Sequence, residues 1–265
     1  MALKGVYTDK KKNDRPNYRA GITVTGKHIS LGSYTSEKKA HEAYLFAGQL
    51  LKDRSLTIQD YKSSCPLIFE KYVTLINLRD NNIYFATPIY LYKRDFGYFL
   101  SPVRELKFDM DDLFYFSQHK IMERGNHLFI SEYGMQTSLR DRFGIMSFAV
   151  EGRDFLFINK DDLDYRRENL EIINRYHGVR LIKTLRKTVY KAVIHLRSDY
   201  VVGNYLTEKE AAIAYNKAAD ILIKNGFSKN FMQNYLEDVS PREYAMIYTD
   251  VKISEKIEKL TPQTT

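Results

Sequence analysis

Gly32-Ser33-Tyr34-Thr35-Ser36-Glu37-Lys38 recurs as Gly203-Asn204-Tyr205-Leu206-Thr207-Glu208-Lys209, and this repetition decides the fold. Upstream of these stretches, the difference in residue number between matching positions grows by one at each loop between strands. Hairpin loops tolerate such changes of length. The chain therefore carries the same small unit near each end. The upstream matches are Tyr18-Arg19-Ala20 with Tyr190-Lys191-Ala192, and Gly5-Val6 with Gly178-Val179.

The first part of each copy has the alternation of short strands. Residues 18–25 and 28–31, joined by Gly26-Lys27, predict a hairpin, and residues 190–196 and 200–202 predict its counterpart. A further strand is expected near Gly5 in one copy and near Gly178 in the other. Each copy is therefore predicted to form a three-stranded antiparallel sheet.

The second part of each copy predicts a helix with one apolar stripe. Ser36 and Thr207 are typical N-cap residues, and Glu210 completes a capping box with Thr207. Small apolar residues at three- to four-residue spacing predict close packing of the helix on the sheet, which leaves the opposite sheet face free. The stripes consist of Ala40, Ala43, Tyr44, Ala47 and Leu51, and of Ala211, Ala214, Tyr215, Ala218 and Leu222.

Charge is distributed unevenly along the chain. Residues 1–62 carry a formal charge of +6 and residues 174–236 carry +7, whereas residues 63–173 carry −3 and residues 237–265 carry −2. Basic groups gathered on one surface attract polyanions and release counterions when they contact phosphates. The two basic ends therefore favour nucleic-acid contact, and the acidic middle does not.

Composition excludes several classes of protein. Cys65 is the only cysteine, which rules out an intrachain disulfide framework and a multi-cysteine zinc site. No stretch has the ~18 uninterrupted apolar residues of a membrane span, and no secretory leader is evident. We expect a protein without cofactor or membrane partner, located in the cytoplasm and associated with the nucleoid, or in the host cytoplasm if it is phage-encoded.

Each end resembles the Apetala/ethylene-response-factor type of DNA-binding domain. The resemblance rests on the matched motifs above, on Leu31 to Tyr34, and on the helices from Glu37 to Ala47 and from Glu208 to Ala219. It implies that each sheet docks in the major groove of double-stranded DNA and reads base edges. The chain has no Trp and less Arg than the family pattern, so its base preference cannot be transferred.

Arg180 is the strongest candidate for a base contact, whereas Lys183, Lys187 and Lys191 are expected on phosphates. The resemblance also implies contacts from Asp9 and Gly21, and from Ile182, Val193, Asp199 and Val201. The candidate DNA-binding residues are Lys4, Tyr7, Lys10, Lys11, Arg19, Thr23, Lys27, His28 and Ser30 in the first copy, and His177, Arg180, Lys183, Arg186, Lys187, Lys191 and His195 in the second.

Residues 106–173 resemble the HNH homing-endonuclease segment that often precedes such a domain. The residues that carry this resemblance are Leu106 to Asp112, Ser117 to Lys120, and the signature-like stretch Leu163 to Leu170. In active members an Asp-His pair holds a divalent metal and activates water. Leu156 and Phe157 stand at those positions here and can do neither. The resemblance therefore implies a nuclease outline without catalytic or metal-binding residues.

Other polar residues of the middle region have simpler interpretations. His119 and His127 are more typical of surface or capping histidines than of replacement ligands. Asp161, Asp162 and Asp164 are expected on a turn, capping amides and pairing with Arg166 or Arg167. Residues 63–105 are strand-like and aromatic, as in residues 72–77 and 83–92, and indicate no chemistry.

The sequence thus predicts an α+β protein. Two small three-stranded antiparallel sheet-plus-helix modules, residues 1–62 and 174–236, flank a central β-rich, ββα (HNH-like) domain, residues 63–173, and a C-terminal helix and tail follow, residues 237–265. The leading hypothesis is a non-enzymatic, sequence-specific DNA-binding regulator of phage, mobile-element or bacterial origin. Two alternatives stay open: an active metal-dependent HNH endonuclease, and an acidic centre that binds a protein partner or mimics DNA. The oligomeric state is not predicted.

Overall fold

The computed structural model describes residues 3–10, 16–132 and 134–263. It is a mixed α and β structure whose sheets are small and antiparallel. The chain divides into two compact units, and the division falls inside residues 63–173. Unit 1 comprises Met1–Leu139 and Asp161–Arg167, and unit 2 comprises Arg140–Lys160 and Glu168–Thr265. No helix in the described ranges is long and apolar enough to cross a membrane.

Unit 1 contains three three-stranded sheets, each with its strands in chain order. The first sheet is followed by two helices, and short 3₁₀ turns occur at Ile58–Asp60 and Met110–Asp112. The elements are β1 (Val6–Lys10), β2 (Pro16–Val24), β3 (Lys27–Tyr34), α1 (Glu37–Leu50), α2 (Phe69–Asn81), β4 (Ile89–Leu91), β5 (Asp95–Ser101), β6 (Arg104–Asp109), α3 (Leu113–Gln118), β7 (Ile121–Arg124), β8 (His127–Glu132) and β9 (Met135–Ser138).

Unit 2 begins inside a short helix, α4 (Leu139–Arg142), whose first residue belongs to unit 1. It contains one two-stranded and one three-stranded sheet, and its last sheet packs under three helices. The elements are β10 (Phe155–Phe157), β11 (Leu170–Ile172), β12 (Val179–Lys183), β13 (Thr188–His195), β14 (Asp199–Tyr205), α5 (Glu208–Lys224), α6 (Pro241–Asp250) and α7 (Glu255–Glu258).

The predicted repeat is confirmed as a structural duplication. β1-β2-β3 with α1 and β12-β13-β14 with α5 have the same topology, and the third strand of each sheet carries a bulge at the equivalent place, at Leu31 and at Val202. Ser36 and Thr207 accept the predicted N-cap hydrogen bonds, and Thr207 and Glu210 form the predicted capping box. We call the two copies the N-terminal and the C-terminal module.

Equivalent side chains make equivalent contacts in the two modules. Glu37 at the start of α1 accepts from the backbone N–H of Leu3, and Glu208 at the start of α5 accepts from that of Arg175. The hydroxyl groups of Tyr34 and Tyr205 each donate, at 2.9 Å, to a backbone carbonyl of the segment that follows the module. The duplication therefore includes the contacts that hold the segments before and after each sheet.

The predicted apolar stripes form the cores of the modules. Ala40, Ala43 and Ala47 are fully buried, and a side chain of one carbon lets α1 approach the sheet closely. Tyr44 and Leu51 of the predicted stripe are partly buried and pack against this core, and Leu50, which was not predicted, is fully buried. The whole stripe predicted for α5 is buried.

The strand predicted at residues 72–77 is wrong, because these residues lie in the helix α2. All side chains from Tyr72 to Leu78 are buried, and Asn82 ends the helix in the left-handed conformation. A segment that is buried on every side loses its helical periodicity, so its β-branched and aromatic residues mimic a strand. The second strand-like stretch, residues 83–92, contributes only β4.

Candidate nucleic-acid interface

Each module buries one sheet face under its helix and presents the other. Side chains alternate along a strand, so the residues between the buried ones point away from the helix. We define two surfaces on this basis. The N-terminal sheet face consists of Tyr7, Arg19, Thr23, His28 and Ser30, and the C-terminal sheet face consists of Arg180, Ile182, Lys191, His195, Asp199 and Val201.

The N-terminal sheet face is polar and aromatic, and all five of its side chains are exposed. The rings of Tyr7 and His28 meet edge to face with centroids 5.5 Å apart. They lie over Gly21, where an added Cβ would come within 2.5 Å of the His28 ring. Gly21 is therefore buried beneath the ring, and the contact predicted from it is wrong.

Lys27 is not part of the N-terminal sheet face. It pairs with Val24, and both residues point to the helix side. The Lys27 ammonium lies over the ring of Tyr84, 4.7 Å from its centroid. Lys183 of the C-terminal module likewise alternates with Ile182 towards the other side, although its side chain is exposed at the strand end.

A bridge of three charged or titratable side chains spans the C-terminal sheet face. Arg180 of β12 donates to one carboxylate oxygen of Asp199 at 3.0 Å, and His195 Nδ1 lies 2.8 Å from the other. These hydrogen bonds, with that from His195 the stronger, lower the pKa of Asp199 below its usual 3.8. Asp199 therefore stays ionised and holds two candidate DNA-contacting side chains in fixed positions.

Val193 is buried in the middle of this face, where it lines a small cavity with Arg180, His195 and Asp199 and with Phe148, Arg153 and Asp154 of the preceding segment. Arg180 and Asp199 lie on the two outer strands, so their ion pair crosses the central strand β13 on the side where Val193 points. Val193 is 5% exposed. The contact predicted from Val193 is therefore wrong, whereas Ile182 and Val201, at 38% and 42% exposure, remain on the surface.

Cations cluster at one end of the C-terminal sheet face. Lys191 lies directly opposite Arg180, on the same face. The β12–β13 hairpin then presents Lys183, Arg186 and Lys187, all exposed, and Thr184 closes its turn through hydrogen bonds with Lys187. In the N-terminal module Lys4 is exposed before β1, whereas Lys11 and the side chain of Lys10 lie outside the described residues.

His177 does not lie on the C-terminal sheet face, contrary to expectation. Its ring packs against Phe148 and Tyr215 at centroid distances of 5.1 and 5.2 Å, and its Nδ1 is buried without a hydrogen-bond partner. Burial, followed by the nearby charges of Lys229 and Arg153, lowers the pKa of His177 below 6.5. The ring is therefore a neutral packing element.

We expect acidification to destabilise unit 2 through His177. Because its folded-state pKa lies below that of an unfolded histidine, the unfolded state binds the proton more readily. The stability contribution is complete above pH 6.5 and is lost as the pH falls from there towards the folded-state pKa. Urea unfolding at pH 7.5 and 5.5 should show a smaller pH dependence for His177→Phe than for the parent protein; equal dependences would contradict this assignment.

β10 and β11 of unit 2 form a two-stranded antiparallel ladder. Leu156 and Phe157 lie in β10, and Phe157 is 4% exposed. Buried Asn169 ties down the loop after β10, since its side-chain oxygen accepts from the N–H of Asn159 at 2.7 Å. Apolar side chains thus occupy the two positions that correspond to the Asp-His pair of active members in the resemblance described above.

The acidic turn of unit 1 makes the predicted pairings. Asp164, whose side chain is fully buried, accepts from Arg166 at 2.6 and 2.8 Å, and Asp161 accepts from the N–H of Leu163 and from Lys107. Arg167 pairs with Asp111. Among the described residues, no group of three or more His, Cys, Asp or Glu is placed to hold a metal ion.

Comparison with protein-family models, with curated proteins and with solved structures finds no match to this chain.

Proposed function

We propose that the protein binds double-stranded DNA through the exposed faces of its two modules, and that it reads sequence with them. The observation that carries the proposal is the duplicated sheet, which twice presents a face with exposed polar side chains at a basic end of the chain. We take the modules to be of the Apetala/ethylene-response-factor type.

The dimensions of each sheet fit the major groove. Neighbouring strands are about 4.8 Å apart, so three strands span about 10 Å between their outer axes. The major groove of B-form DNA is about 12 Å wide and admits β-structure. The bulge in the third strand of each sheet increases local twist, which helps a short sheet follow the groove.

The C-terminal sheet face supplies both kinds of contact that sequence recognition requires. Arg180 has a planar fork of donors that suits the O6 and N7 atoms of guanine, and Asp199 already fixes its orientation. The exposed hairpin cations, Lys183, Arg186 and Lys187, suit phosphates, which position a protein without carrying sequence information. Two weak modules on one chain bind a composite site more tightly through effective concentration.

Selection from a random duplex library, followed by footprinting and anisotropy titration at several salt concentrations, tests the proposal. The expected result is an enriched composite site and a linear decrease of log Kobs with log salt. Binding that enriches no sequence would leave only electrostatic attraction, and the absence of duplex binding at low salt would overturn the proposal.

Asp199→Asn is expected to strengthen binding to random-sequence duplex and to weaken discrimination. The change removes a negative charge from the DNA-facing surface and frees Arg180 to contact phosphate. One additional phosphate contact should make the salt slope steeper by about 0.9. Anisotropy titrations with selected and random duplexes measure both effects. An unchanged ratio of the two affinities would show that Asp199 does not orient Arg180 for readout.

We also propose that the chain does not cleave DNA. Neither Leu156 nor Phe157 can bind a metal or accept a proton, so the positions required for metal-assisted hydrolysis carry no such group. Supercoiled plasmid incubated with the protein and Mg²⁺ or Mn²⁺ should show no nicking above a buffer control. Nicking that co-purifies with the protein and responds to His119→Ala or His127→Ala would instead favour the endonuclease hypothesis.

A further inference from the structure

The duplication allows the same helix face to be compared in two surroundings. Since the modules superimpose in register, Leu45, Gly48 and Gln49 of α1 are equivalent to Asn216, Ala219 and Asp220 of α5. Lys4 before the first sheet likewise corresponds to His177 before the last. A segment that covers this face in one module but not in the other indicates what the bare face can bind.

In the C-terminal module an irregular segment, residues 227–236, lies across the helix face. Asn216 forms paired hydrogen bonds with the backbone of Asn234, at 2.7 and 2.8 Å. The Asn234 side chain in turn pairs with the backbone N–H and carbonyl of His177. Phe231 and Leu236 are buried in the same core as the α5 stripe. The segment is therefore held by the aromatic side chain of Phe231, by the aliphatic side chain of Leu236, and by the hydrogen bonds of Asn234 between them.

In the described part of the N-terminal module, the equivalent face is an open groove of about 600 Å³. Leu45 is 55% exposed, although it stands where Asn216 is 2% exposed. After α1 the chain turns to the other side of the helix, where α2 packs through the stacked rings of Phe46 and Tyr72. The groove is lined by Lys4, Tyr44, Leu45, Gly48, Gln49, Lys52 and Asp53.

Gly48 lines the groove on this face of α1. Within the described part of the chain, a Cβ added at Gly48 would meet nothing within 4 Å. The equivalent residue of the C-terminal module is Ala219, which is fully buried, so a side chain of one carbon is compatible with a covered helix face. A larger side chain at position 48 would stand in the groove itself.

We propose that the groove on α1 binds an extended segment of a partner protein. The segment carries an aromatic side chain and, five residues later, an aliphatic one, in the arrangement of Phe231 and Leu236. Leu45 replaces the amide of Asn216, so the middle of the segment is held by apolar contact rather than by paired hydrogen bonds. This surface lies on the helix of the module, and the inference does not depend on DNA binding.

A synthetic peptide of residues 228–238, titrated into the ¹⁵N-labelled full-length protein, tests the proposal. We expect saturable shifts of the backbone amides of Leu45, Gly48 and Gln49, with a Kd of about 0.1–1 mM, as suits a short segment with two anchors. The same peptide with Phe231→Ala and Leu236→Ala should produce no shifts. Shifts confined to α5, or none at millimolar peptide, would overturn the proposal.

Two variants separate binding from folding. Gly48→Gln places a better helix former at an open position, so it should raise the thermal midpoint of the protein while weakening peptide binding at least tenfold. Leu45→Lys should leave the fold intact and also weaken binding, because it removes an exposed apolar contact. Peptide binding that survives both substitutions would place the peptide elsewhere and overturn the proposal.

Discussion

Replacing Arg180 and Lys191 together by alanine is expected to weaken binding to the selected duplex about 100-fold. The two side chains lie opposite each other on β12 and β13 and form the cationic centre of the C-terminal sheet face. Loss of a bidentate arginine contact to guanine costs about 1–3 kcal/mol, and loss of a phosphate contact reduces the salt slope by about 1. Anisotropy titration at four salt concentrations measures both quantities.

A matched variant with Lys224→Ala and Arg242→Ala controls for net charge. It also removes two positive charges from unit 2, but at exposed positions on α5 and α6 rather than on the sheet. Its affinity should stay within about twofold of the parent, since side chains more than a Debye length of ~10 Å from the phosphates are largely screened. Equal losses in both double variants would mean that charge alone, and not the sheet face, governs binding.

The modules were predictable from sequence because their information is local and is present twice. Each strand is specified by alternating apolar and polar residues, and each helix by its N-cap, Ser36 or Thr207, and its stripe of small residues. Because these patterns occur in both copies, a chance occurrence is excluded. The helix α2 was not predictable in this way. Burial on all sides hides its period, and only Asn82, a residue type that tolerates the left-handed conformation, marks its end.

The candidate interface was only partly predictable, because the side to which a residue points depends on register. Consecutive side chains of a strand point to opposite faces of the sheet. Placing His28 on the exposed face therefore already implies that its neighbour Lys27 points to the other face, and this could have been predicted from the sequence. The bridge between Arg180 and Asp199 could not be foreseen in the same manner. It joins the outer strands β12 and β14 across β13, and the bulge at Val202 shifts the register between β13 and β14. The packing of His177 against Phe148 also joins segments that are unrelated in sequence.

Gly178→Ala is expected to destabilise unit 2 by about 2–5 kcal/mol. Gly178 has φ +74°, a left-handed conformation that costs an alanine about 1–2 kcal/mol. An added Cβ would also lie 2.5 Å from the Tyr215 ring and 2.6 Å from the backbone carbonyl of Val193. Neither group can withdraw, because Tyr215 is buried in the core under α5 and Val193 belongs to the central strand. Urea unfolding monitored by tyrosine fluorescence measures the change.

Gly152→Ala isolates the backbone contribution within the same unit. Gly152 has φ +81°, but in the described structure an added Cβ there meets nothing within 4 Å. It should therefore show only the conformational cost, about 1–2 kcal/mol. The difference between the two variants measures the close approach of Tyr215 and Val193 to Gly178. Since Gly5 approaches Tyr44 in the same way, Gly5→Ala should destabilise unit 1 comparably. If Gly178→Ala cost no more than Gly152→Ala, the helix would not be packed against the sheet as described.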